Sequence, residues 1–167
     1  YTKGAVIKTL SILGSGWIGR TLAEHFVAMG NQDKSSTTSE SRIAELSAFN
    51  VEPFIVDIEH LSENLRTFLQ ANVLIINIPS GNIDAFGSLV TEIERSDIEK
   101  VILVSSTSVY EDNNQTMSES DGEESKQSPL LAIENLFRNS GKFKTTIIRF
   151  GGLIGYSRNP GRFFGPG

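Results

Sequence analysis

The chain of 167 residues contains no cysteine. A disulfide framework and any cysteine-ligated zinc or iron–sulfur site are therefore excluded. Histidine is nearly absent as well. His25 and His60 are the only two, so a three-histidine metal centre cannot be built. Positive charge is in deficit, with 15 Lys and Arg against 20 Asp and Glu, and the net charge is −5. A basic nucleic-acid footprint is not expected. Long hydrophobic runs are missing too, and the longest fall far short of the ~20 apolar residues that span a bilayer. No signal-peptide pattern opens the chain. These absences lead to the expectation of a cytoplasmic globular protein whose partners include neither nucleic acid nor a membrane. Tyr1 stands where an initiator methionine would, and Gly165-Pro166-Gly167 close no element. Residues 1–167 are accordingly expected to form one domain that continues beyond the last residue.

What is present is an alternation of short β-rich apolar runs and helix-period segments. The runs are Leu10–Leu13, Phe54–Val56, Val73–Ile76, Val101–Val104 and Thr145–Phe150. Between them, apolar residues recur at helical spacing, as in Ile18, Leu22, Phe26 and Val27, with Gly30 placed to end that helix. Further helices are expected over 39–49, 62–70, 82–95 and 130–139. Strands alternating with helices through short connections predict an α/β fold, a Rossmann doubly wound parallel sheet. Continuous apolar strands agree with a sheet covered on both faces. The second strand should fall near 31–37, yet Asn31-Gln32-Asp33-Lys34-Ser35-Ser36-Thr37 is polar throughout. A poorly formed edge strand, or missing sequence, is expected there. Residues 111–126 hold almost no apolar side chain and are expected to be a mobile loop.

The sharpest motif lies in the first strand-to-helix turn. Gly14, Gly16 and Gly19 have G-x-G-x-x-G spacing. Such a turn needs the first glycine for its backbone angle, the second for close approach of a pyrophosphate, and the third for helix–strand packing. Dinucleotide binding is the expectation, with Trp17 and Ile18 inside the motif; the alternatives are a glycine turn without a ligand and another Rossmann ligand such as S-adenosylmethionine. Trp17 would either pack at the helix start or stack on a bound molecule. An acidic residue about 20 positions on would hold a ribose 2′-hydroxyl. That window instead reads Ser36-Thr37-Thr38-Ser39, followed by Arg42. Hydroxyls and a guanidinium suit a 2′-phosphate, so NADP is expected ahead of NAD, with Thr37 and Arg42 as contacts; Arg42 could equally be a solvated helix residue. Asp57 would accept from an adenine amino group, with Ile58 packing on the ring, or else serve as a turn residue. His25 is expected to be at the surface or half-buried on the first helix, and His60 to lie in a loop. The acidic run 119–124 matches no EF-hand spacing, and no metal site is expected.

The order of Gly14-Ser15-Gly16-Trp17-Ile18-Gly19, Asp57-Ile58, Ser105-Ser106-Thr107-Ser108-Val109-Tyr110 and Arg149 resembles the extended short-chain dehydrogenase/reductases, more narrowly their NAD(P)-dependent epimerase/dehydratase branch. The resemblance covers roughly residues 8–165. It implies NADP or NAD as cofactor and a small-molecule, sugar-like substrate. It also implies that Ser106 contacts the substrate's reacting oxygen. A homodimer is the assembly carried as an expectation. The segment from Arg149 to Gly155 resembles the family's exit from strand six toward the substrate. A substrate-binding portion would normally follow and is expected to be truncated here.

Three departures stand beside the resemblance. Leu13 replaces a family glycine, as in an atypical subgroup, and Glu111 replaces the glycine after Val-Tyr. Matching the helix of Ala132-Ile133-Glu134 puts Lys126 and Leu130 where the family's Tyr-x-x-x-Lys pair belongs, and no Tyr lies between Tyr110 and Tyr156. The pair works because a nearby cation lowers the phenol pKa, which Leu130 cannot do. Tyr110 is the remaining phenol, either a substitute acid or a packed side chain. Two readings stay open: hydride transfer at a secondary alcohol or carbonyl, and a non-catalytic NAD(P)-sensing module.

Overall fold

The computed structural model describes residues 9–112, 114, 116, 118 and 122–155. Strands β1 (Thr9–Leu13), β2 (Gln32–Thr37), β3 (Glu52–Ile55), β4 (Val73–Ile76), β5 (Lys100–Ser106) and β6 (Lys144–Phe150) form one sheet. All its pairings are parallel, in the order β3-β2-β1-β4-β5-β6. This is the doubly wound order, and winding reverses between β1 and β4. Helices α1 (Trp17–Ala28), α2 (Ile43–Ser47), α3 (Asn64–Phe68), α4 (Ile83–Glu94) and α5 (Pro129–Arg138) make the connections. Leu10, Ile12, Val73 and Ile75 bury one sheet face against Ala23, Leu22 and Phe26 of α1. Leu13, Leu74, Ile76 and Leu103 bury the other against Phe68, Phe86, Leu89 and Phe137 of α3, α4 and α5. None of the described helices is long and apolar enough to cross a membrane.

Local chemistry sets the helix ends. Gly30 takes φ +84°, and its amide donates to Val27 O, closing α1 as its position predicted. Asn82 and Ser128 accept from the amides of Ala85 and Leu131, capping α4 and α5. Each such cap stabilises by about 1 kcal/mol. The helix expected over 39–49 is a 3₁₀ turn, Glu40–Arg42, running into the short α2.

Two expectations are corrected. Residues 32–37 are neither an edge nor a gap. They form an interior strand, bonded to β1 on one side and β3 on the other. Hydrogen bonds replace apolar bulk here. Ser36 Oγ accepts from Gly14 N at 3.1 Å. Lys34 Nζ donates to Thr67 O at 2.6 Å and Gln70 O at 3.0 Å, at the C-terminal end of α3. The acidic segment is likewise not wholly loose. Glu124 bridges antiparallel to Tyr110, Glu111 N donates to Glu123 O, and Ser125 N donates to Val109 O. Residues 119–121 of the acidic run, and the closing Gly165-Pro166-Gly167, lie outside the described residues.

Asp33 carries an electrostatic penalty in β2. It is 4% exposed, and its oxygens meet no hydrogen-bond donor among the described residues. Burial pushes its carboxyl up to about 6 from 3.8. A raised acid pKa means the native state holds a proton that the unfolded chain releases between those values. Asp33 therefore costs nothing below pH ~4 and lowers stability progressively as pH rises, by roughly 3 kcal/mol above pH ~6. Denaturant titrations of Asp33→Asn and the natural chain should coincide near pH 4. The variant should gain roughly 3 kcal/mol by pH 7. A gap independent of pH would contradict this account.

Candidate functional site

The glycine turn sits where β1 and β4 part. Gly14 takes φ +98°, and a Cβ on it would lie 2.4 Å from Asn77 O. A Cβ on Gly19 would lie 2.0 Å from Gly14 O, so helix α1 and the turn touch backbone to backbone. Gly16 differs from both, because nothing lies within 4 Å of its Cβ position. Its missing side chain leaves open space in front of the first turn of α1, which no side chain caps. The amides of a helix's first turn and the helix dipole favour an anion at such a place.

Two clefts flank the turn and share Gly16 and the Asn77–Ser80 segment. The first, about 290 Å³, lies over the ends of β2 and β3 and is lined by Thr37, Thr38, Arg42, Asp57 and Ile58. Arg42 Nη2 donates to Ser15 O at 2.7 Å, so this guanidinium touches the glycine turn itself. Glu45 lies 3.6 Å from its Nε and also pairs with Arg20 at 2.5 Å. Thr37 Oγ1 accepts from Ser39 N. Asp57 forms a turn, accepting from Glu59 N at 2.9 Å and pairing with exposed His60 at 3.1 Å. The Glu59 amide, then His60, hold its carboxyl below the usual range. The turn reading of Asp57 is therefore realised, and the residue still lines the cleft beside buried Ile58. His25 is exposed on α1, as expected.

The second cleft, about 530 Å³, continues from Gly16 past Trp17 and Ile18 to Ser105, Ser106 and Leu130. Trp17 packs against Gly155, where a Cβ would lie 3.3 Å from the indole. Ser106 Oγ accepts from Ser108 N at 3.1 Å. Ser106 also lines an outer groove with Tyr110 and Arg149. The two sequence candidates for chemistry thus share one groove. The Tyr110 ring is held between the Arg149 guanidinium, 4.8 Å from its centroid, and the Gly122 backbone. That is a packed environment. Lys126 is exposed, and Leu130 walls the cleft where a family lysine would stand.

Sequence reasoning missed Glu134. It is fully buried on α5 and accepts from Ser105 Oγ at 2.6 Å and from Arg149 Nε and Nη2 at 3.0 and 2.6 Å. Arg138 adds a contact at 3.0 Å. Burial pushes this carboxyl up, and the Arg149 and Ser105 hydrogen bonds more than reverse it, leaving it below the usual range. Arg149, which also reaches Glu124, is held firmly protonated, first by Glu134. Only an acidic residue at an otherwise apolar helix position pointed to this pairing.

The glycines separate packing from open space. Gly19→Ala should destabilise by about 3 kcal/mol, since backbone must move. Gly16→Ala should stay within about 1 kcal/mol of the natural chain. Chemical denaturation of the two variants checks the contrast, and equal losses would refute it.

No protein-family model matches the chain. Protein YeeZ of Escherichia coli (strain K12) is 30% identical over 173 residues, covering 95% of this chain and 63% of YeeZ. The chain thus spans less than two thirds of that relative's length. A functionally unknown conserved protein from Silicibacter pomeroyi superposes with TM-score 0.72 at 18% identity, over 96% of this chain and 58% of its own. A short-chain dehydrogenase/reductase superfamily protein from Agrobacterium tumefaciens, solved with bound NAD, superposes with TM-score 0.68 at 18% identity, over 84% of this chain and 48% of its own. With its parallel sheet order and its glycine turn at the switch point, the chain has the fold of the extended short-chain dehydrogenase/reductases.

Proposed function

We propose that the chain binds a nicotinamide dinucleotide along the two joined clefts, NADP(H) in preference to NAD(H). The open space at Gly16, before the uncapped start of α1, carries this reading. Gly14, Gly16 and Gly19 would cradle the pyrophosphate, with the α1 dipole facing its charge. The adenosine half would lie over β2 and β3, its adenine on Ile58 and its amino group toward Asp57. The 2′-phosphate would meet Thr37, Thr38 and Arg42, because a guanidinium and hydroxyls can donate where a carboxylate could not. Arg42 uses one N–H on Ser15 O and has others to offer. The nicotinamide half would enter the second cleft, between Ile18, Trp17 and Ser106. The bound group supplies a hydride donor or acceptor there.

For a reaction, the proposal is reduction of a small carbonyl or oxidation of a secondary alcohol, with a sugar-like molecule as the substrate class. Ser106 would hydrogen-bond the reacting oxygen and hold it toward the nicotinamide. Tyr110 offers a phenol in the same groove. A second reading, cofactor sensing without turnover, draws support from Leu130. An apolar side chain lines the cleft where a cation would activate a tyrosine.

Trp17, the sole tryptophan, lines the second cleft, so its emission should change saturably on binding. Titration with NADPH should give tighter binding than NADH. Arg42→Ala should weaken NADPH by about tenfold or more and NADH by less than about threefold. Equal losses would remove the 2′-phosphate assignment, and no saturable response to either cofactor would remove the proposal. Cofactor oxidation with a panel of sugars and carbonyls then separates the readings. Turnover that disappears in Ser106→Ala supports catalysis, and tight binding without turnover supports sensing.

A further inference from the structure

The Glu134 carboxylate is the most heavily bonded side chain at the inner end of the second cleft. Its donors come from three places in the fold: Ser105 on β5, Arg149 on β6 and Arg138 one turn along α5. Charge-assisted bonds of this kind are short and directional. The geometry also fixes which surfaces they hold in register. Ser105 and Ser106 end β5, and Leu130 lies one helical turn before Glu134 on α5. These same three residues wall the second cleft. A slide of α5 along β5 would separate Leu130 from Ser106 and widen that wall. The first cleft is built on the ends of β1, β2 and β3 and on the shared Asn77–Ser80 segment, while the bonds of Glu134 go to Ser105, Arg138 and Arg149.

We infer that Glu134 is a positioning residue for the nicotinamide end of the cleft, setting the wall of Ser105, Ser106 and Leu130 through its bonds to β5 and β6. The inference rests on the cofactor reading above. It assigns Glu134 no contact with cofactor and no proton transfer. Its carboxylate is fully buried and committed to Ser105, Arg138 and Arg149.

Two ligands test it on the full chain. NADPH fills both clefts, whereas adenosine 2′,5′-bisphosphate carries only the half that would occupy the first. Glu134→Gln should weaken NADPH by about tenfold and leave the bisphosphate within about twofold, because only the second wall shifts. Ser105→Ala removes one bond and keeps the ion pair, so it serves if Glu134→Gln does not fold. It should weaken NADPH by about threefold, again with the bisphosphate unmoved. A merely structural carboxylate would lower both affinities together or neither, and either result overturns the inference. If the natural chain binds the bisphosphate and NADPH equally well, the second cleft is not a nicotinamide site and the inference falls while the first cleft stands. If it binds neither, the cofactor reading itself is overturned.

Discussion

The chain turns out of β1 through Gly14, whose φ of +98° and 2.4 Å clearance to Asn77 O leave room for hydrogen alone. That contact fixes how closely the turn approaches β4, where the sheet reverses its winding. Gly19 then stacks on Gly14 O, which sets the start of α1. Ser36 Oγ takes the Gly14 amide, which ties β2 to the same turn. Arg42 reaches the carbonyl one residue on. Three elements are thus referenced to one glycine backbone, and the open space at Gly16 exists because its neighbours on either side are so tightly placed.

Much of this was readable from residue pattern. Apolar strands and helical spacing announce a covered parallel sheet, and glycine spacing announces the turn, because both are local regularities. The place of strand β2 was legible but its interior position was not, for a physical reason. Its side chains are all polar, and those of Ser36 and Lys34 are satisfied by partners 22 to 36 residues away. Periodicity carries no trace of such bonds. Glu134 was hidden in the same way. It follows Ile133 on a largely apolar helix, while its partners Ser105 and Arg149 lie on β5 and β6. The acidic segment was half legible. Composition indicates that it buries little, but not that Glu123 to Ser125 return to Val109–Glu111.

The departures from the family pattern have a coherent geometry. Where the family that the sequence resembles would place a tyrosine and a lysine, at the Leu130 end of the second cleft, this chain offers exposed Lys126 and apolar Leu130. Charge at this end is instead gathered behind the wall, on Glu134, Arg149, Arg138 and Glu124. Ion pairs centred on a buried carboxylate such as Glu134 are poor acid/base groups, since each charge is stabilised by its opposite partner. They serve better as rigid mounts. Ser106 and Tyr110 remain in front of that mount, lining one groove.

The lysine bridge from β2 has a consequence for the order of folding. Helix α3 has five residues, far too few to form alone in water. Its last carbonyls are met by Lys34, more than thirty residues earlier in the chain. Such a helix cannot nucleate locally; it must wait until β2 has docked and carried the amine into reach. Amide exchange at Leu65 to Leu69 should accordingly report the closing of the β2–β1 pairing rather than an event within α3 itself. The least independent helix of the domain thereby becomes a gauge of its least recognisable strand.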